Sequence, residues 1–71
     1  MQTVMIKSEP TELYQILKFE SLVASGGEAK MVIQSGLVKV NGAIETRKRK
    51  KIVRGDIIEF EEHTLKISVA D

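Results

Sequence analysis

The spacing of apolar positions changes character near the middle of the chain. Ahead of Gly36 it is helical. Leu13, Ile16 and Leu17 fall on one stripe after Pro10 and Thr11, with Glu12 near the start and Lys18 near the end, and predict a first helix over about 11–20. Ser25-Gly26-Gly27-Glu28 fits a capping box, in which a Ser hydroxyl accepts from a backbone N–H and the Glu reaches back to the cap. A second helix starts there. Ala29, Val32 and Ile33 form its stripe, and Gly36 can close it in the left-handed conformation.

Beyond Gly36 the period falls to two. Val38 and Val40 share one face and Lys39 takes the other, and Asn41-Gly42 follows as a type I′ hairpin signal with a return segment over 43–46. Gly55-Asp56 turns the chain into Ile57–Phe60, and the acidic 61–64 segment separates this from the alternating Leu65–Val69. The β-branched 3–7 segment adds a short opening strand. Two short helices followed by several short strands is an α+β plan in which the helix stripes pack on one sheet face.

The chain has 71 residues, enough for one domain over 1–71 with one small core. Domains of this size bury only about 60% of their unfolded surface. With 42% hydrophobic and 30% charged residues it falls in the globular range. The absence of Cys excludes disulfides, thiolate zinc sites and thiol nucleophiles, and fits a reducing compartment. Apolar runs such as Leu22-Val23-Ala24 are far shorter than a spanning helix. The expectation is a soluble, cytoplasmic protein without a membrane segment.

Net charge is only +1, yet the charges are segregated. Residues 30–54 carry Lys30, Lys39, Arg47, Lys48, Arg49, Lys50, Lys51 and Arg54 against Glu45 alone, a balance of +7, which leaves −6 elsewhere. One face can then attract a polyanion while the rest repels it. Arg47-Lys48-Arg49-Lys50-Lys51 is the core of this segregation. As a bare run it reads equally as a solvated loop, and more weakly as a localisation signal. Its place between a hairpin and a strand favours nucleic acid, because folding there can converge it with Lys30 and Lys39.

Other features are weaker. Ser25 and Glu28 are explained by capping, although the helix start could also hold a phosphate; the nucleotide P-loop pattern is not matched. The aromatic residues are Tyr14, Phe19 and Phe60, with none between Lys30 and Arg54. Phe19 and Phe60 are expected in the core and Tyr14 at its rim. A surface that reads unpaired bases supplies stacking platforms, so this composition points to phosphate placement and groove shape in structured or double-stranded RNA. His63, beside Glu62, reads as a surface residue in an acidic turn, with no nucleophile partner for an enzyme. No spacing gathers metal ligands. The expectation is a non-enzyme with no cofactor and no metal. A protein–protein adaptor meeting an acidic partner is the alternative.

Leu17-Lys18, Ser25–Lys30, Val38–Gly42, Glu45–Lys51 and Gly55-Asp56, in this order and spacing, resemble the RNA-binding domain family of ribosomal protein S-four. The likeness is strongest to its small stand-alone bacterial members of the YbcJ type and runs over about 11–69. It implies the alpha-L RNA-binding fold, two short helices on a small bent, mainly antiparallel sheet, acting as a monomer on ribosomal or transfer RNA. Carried over by position, it implies an RNA face of Lys18, Ser25, Gly26, Lys30 and Arg47–Lys51; the charge pattern adds Lys39. The commoner form of the domain has Arg-Leu-Asp where this chain has Glu12-Leu13-Tyr14, and an Arg where it has Gly26.

Overall fold

The computed structural model describes residues 1–70. In chain order the elements are β1 (Gln2–Ile6), β2 (Thr11–Glu12), α1 (Leu13–Phe19), α2 (Gly26–Gln34), β3 (Val38–Val40), β4 (Ala43–Ile44), β5 (Lys51–Ile52), β6 (Ile57–Phe60) and β7 (His63–Val69). Among these residues five strands form one sheet in the order β1-β7-β6-β3-β4, and β2 pairs with β5 in a separate ribbon. The sheet is antiparallel except at β1 and β7, the first and last strands, which run parallel with Val4 opposite Ile67. The α+β plan of two helices on a mainly antiparallel sheet is therefore what the chain adopts.

Alternation places the core. Val4 and Ile6, Val38 and Val40, Ile58 and Phe60, and Leu65 and Ile67 are all buried, each pair two residues apart and so on one face of its strand. Register joins them across strands, with Val40 opposite Ile58 and Ile58 opposite Leu65. The helices cover that face with Leu13, Ile16, Leu17, Ala29, Val32 and Ile33, and the ribbon adds fully buried Ile52. Helices of seven and nine residues are too short to persist alone, so packing on the sheet and on each other holds them.

Local signals act where expected at α2 and the hairpins. Ser25 Oγ accepts from Glu28 N at 3.1 Å, while the Glu28 carboxylate accepts from Ala24 N, one residue ahead of the usual capping-box donor. At the other end Gly36, with φ of +80°, sends its N–H to Ile33 O and is followed by Leu37 N donating to Val32 O, a Schellman closure. Asn41 and Gly42 have φ of 53° and 86°, the type I′ pair, and join Val40 to Ala43. Asp56 behaves as a turn residue, accepting from Val53 N and from the Asn41 side chain.

Four expectations are corrected. Helix α1 begins at Leu13, because Thr11 and Glu12 are extended and pair with Ile52 and Lys51. The return strand after Asn41-Gly42 stops at Ile44, since Glu45 turns its carboxylate onto Arg47 and the chain leaves the sheet. His63 is half-buried in β7 opposite Phe60, with Glu61-Glu62 alone making the turn, because pairing extends back from the register that buries Leu65. Phe60 is in the core, but Phe19 is 67% exposed. Two residues past Leu17, Phe19 falls on the far side of a 3.6-residue helix.

Candidate nucleic-acid interface

The basic segment is a tied loop. Its first anchor is Glu45, whose carboxylate accepts from the Arg47 backbone N–H at 3.0 Å and from Arg47 Nε and Nη2 at 2.9 and 3.1 Å. This fork lowers the Glu45 carboxyl from its ordinary 4.5 to about 2, chiefly through the hydrogen bond to the guanidinium. Lys50 N then donates to Arg47 O and closes a turn over 47–50. The last anchor is β5, with Ile52 in the core beside β2.

Between these anchors the backbone of the loop caps α1. Leu13 N donates to Lys50 O at 2.9 Å and Tyr14 N to Lys48 O at 3.1 Å. Glu12, at the N-cap position, makes no side-chain cap, and no acidic residue lies in the first turn. Two of the N–H groups that every helix start leaves without intrahelical partners are thus satisfied by carbonyls from distant sequence. Carbonyls face the helix and leave the cations outward: Arg49 and Lys51 are exposed, Lys48 and Lys50 half-exposed. Arg47, Arg49, Lys50 and Lys51 line a shallow depression of about 420 Å³.

The helix seam continues this surface. Tyr14 follows the first residue of α1, and Lys18 lies one turn further along. The Lys30 ammonium of α2 stands over the Tyr14 ring, 4.7 Å from its centroid. A Cβ at Gly26 would meet two Tyr14 ring carbons at 3.9 Å and Lys18 Cδ at 4.0 Å. Gly26 and Lys30 therefore flank the Tyr14 ring, Lys18 lies beside Gly26, and the Tyr14 backbone N–H joins this helix to the Lys48 carbonyl. Ser25 sits at the edge of the group with its hydroxyl committed to capping.

Convergence is incomplete. Lys39 alternates with buried Val38 and Val40, so it stands on the outer face of the sheet, where Glu59 is its cross-strand neighbour. The expectation that it joins Lys30 and the basic run is corrected by that alternation. Among the described residues the ion pairs are Arg47 with Glu45 and Arg54 with Glu9, so two of the eight cations of 30–54 are matched by carboxylates. The other six, Lys30, Lys39, Lys48, Arg49, Lys50 and Lys51, are not. Tyr14 is the member that the sequence did not reveal. Its signal was Lys18 four residues on, but its meeting with Lys30 and Lys48 depends on tertiary packing.

A second groove, of about 480 Å³, lies elsewhere, lined by Val4, Met5, Ile6, Ile16 and Phe19 with Lys7 and Glu20 at its rim. No group of three or more His, Asp or Glu side chains able to hold a metal forms among the described residues. No helix among them is long and apolar enough to cross a membrane.

Residues 4–68 match the family model described as the S4 domain. YbcJ of Escherichia coli (strain K12) is 44% identical over 68 residues, spanning 94% of this chain and 97% of that protein. The probable ribosome maturation protein RlbA of Bacillus subtilis (strain 168) is 34% identical over 58 residues, 82% of each chain. The solution structure of E. coli YbcJ, described as revealing an alpha-L motif involved in RNA-binding, superposes with a TM-score of 0.72 at 45% identity and covers 99% of this chain and 89% of that one.

Proposed function

The chain belongs to the S4 domain family, and from that membership together with its basic loop we propose that it binds structured RNA, ribosomal or transfer RNA, through the surface built by Lys18, Lys30 and Arg47–Lys51. The observation that carries this reading is the backbone cap: carbonyls of Lys48 and Lys50 hold the loop on α1 and leave its cations facing solvent beside Lys30. Five consecutive cations fixed in one place repel one another, and a row of phosphates relieves that repulsion.

The roles within the face differ. Arg49 keeps its whole guanidinium fork for phosphate oxygens, whereas Arg47 presents only the donors that Glu45 leaves over. The lysines act as mobile point charges. Affinity is mainly electrostatic, and the protein acts as a monomer in the cytoplasm, as an RNA-binding module and not an enzyme.

Titration of a transfer RNA or a ribosomal RNA stem-loop at several salt concentrations tests the reading. If about five phosphates are neutralised, log affinity falls against log salt with a slope of about −3.5 to −4.5. A slope near zero would overturn it. Nuclease treatment of complexes purified from cells separates it from the adaptor alternative, because a complex held by an acidic protein partner survives digestion of the RNA.

A further inference from the structure

Few aromatic residues are available to meet a base, and they have different fates. Phe60 is buried, and Phe19 opens onto the apolar groove beside β1. Tyr14 is half-exposed, with the Lys30 ammonium over its ring, Lys18 one turn along the same helix, and its backbone N–H on the Lys48 carbonyl of the basic loop. We propose that the Tyr14 ring is a stacking platform for one unpaired base of the bound RNA, and that the base takes the place over the ring now held by the Lys30 ammonium. This rests on the RNA reading above and adds to it a nucleobase contact, so the target is a structured RNA that presents an unpaired nucleotide beside helical phosphates.

Three observations carry it. An ammonium 4.7 Å above the ring centroid shows that a face of the ring is open to a solvated group, and a flat base reaches the same face. Gly26 keeps the neighbouring ring edge clear, since any side chain there would begin 3.9 Å from the ring carbons. The Tyr14 N–H bonded to Lys48 O joins the residue that carries the ring directly to the backbone of the basic loop, so one nucleotide strand is a short step from both. A phosphate attracts Lys30 more strongly than a neutral ring does. Binding therefore draws the cation off the ring and uncovers the stacking face in one step.

Tyr14 is the only tyrosine and the chain has no tryptophan, so tyrosine emission reports this ring alone. The probes are an RNA stem-loop with an adenosine-rich loop and a blunt RNA duplex with the same number of phosphates. The stem-loop is expected to quench the emission and the duplex to leave it nearly unchanged. Tyr14→Leu, which keeps an apolar body against the core, should weaken stem-loop binding about tenfold with the salt slope and the duplex affinity unaltered. Tyr14→Phe, which retains the ring and guards against a mere packing effect, should stay within about twofold of the unsubstituted protein on both probes. Steep salt dependence on both RNAs with no selective quenching, or equal losses on both in Tyr14→Leu, overturns the stacking contact and leaves the RNA reading standing. Failure of both RNAs to bind overturns the RNA reading and the stacking contact together.

Discussion

Helix α2 starts on its own sequence, with the Ser25 hydroxyl on Glu28 N and the Glu28 carboxylate on Ala24 N, whereas α1 starts on carbonyls lent by Lys48 and Lys50. A local cap satisfies a helix end and does nothing else. The borrowed cap does two things, because the carbonyls that complete α1 also pin a five-cation loop against it. Fold stability and the position of the charges are thereby linked at α1 and separate at α2. The linkage runs through backbone, so the side chains of Lys48, Arg49 and Lys50 remain available for a ligand, while Arg47 is shared with Glu45.

The largest effect is expected where the borrowed cap is anchored. Ile52 is fully buried and seats β5 beside β2, so Ile52→Ala should cost about 2–5 kcal/mol, read as a drop in the urea midpoint. RNA affinity should fall with it, because an unseated β5 releases the loop. A variant that lost stability but bound RNA normally would show that loop and cap are not linked. Ser25→Ala probes the local cap and should cost about 1 kcal/mol, with RNA affinity and salt slope unchanged.

The smallest effect is expected at Glu45→Gln, which releases Arg47 from its fork. The salt slope should steepen by less than about one, since at most one further cation becomes available. The same variant alters the pH dependence of stability. The carboxyl of Glu45 sits at about 2 in the folded chain against an ordinary 4.5, so its contribution is present above 4.5 and disappears as pH falls towards 2. In Glu45→Gln that part of the acid limb should flatten. The exposure of Arg47, 70% for its side chain, keeps the difference small and sensitive to salt.

Legibility in the sequence followed the same division. The α2 cap, the Gly36 closure, the Asn41-Gly42 turn and the β6 strand depend on neighbours within a few residues, and the chain adopts each of them. The start of α1 is not legible locally, because Glu12 pairs with Lys51 and nothing near Thr11 announces a strand partner so far along. Pairing of β1 with β7 is hidden for the same reason. Other misses had local signals. Glu45 and Arg47 are opposite charges two residues apart, close enough along the chain for the ion pair that forms. Alternation with Val38 and Val40 already sent Lys39 away from the helices. Tyr14 was hidden for a tertiary reason, as a rim aromatic gains meaning only when α2 brings Lys30 over it.

The most direct measurement of whether backbone holds the loop while side chains hold the ligand is the salt dependence of RNA binding by Lys48→Gln, Arg49→Gln, Lys50→Gln together, paired with its urea unfolding curve. The slope should flatten by about two relative to the unsubstituted chain, with stability within about 0.5 kcal/mol, because the carbonyls that cap α1 are untouched. An unchanged slope, or a large fall in stability with the slope retained, would contradict the account.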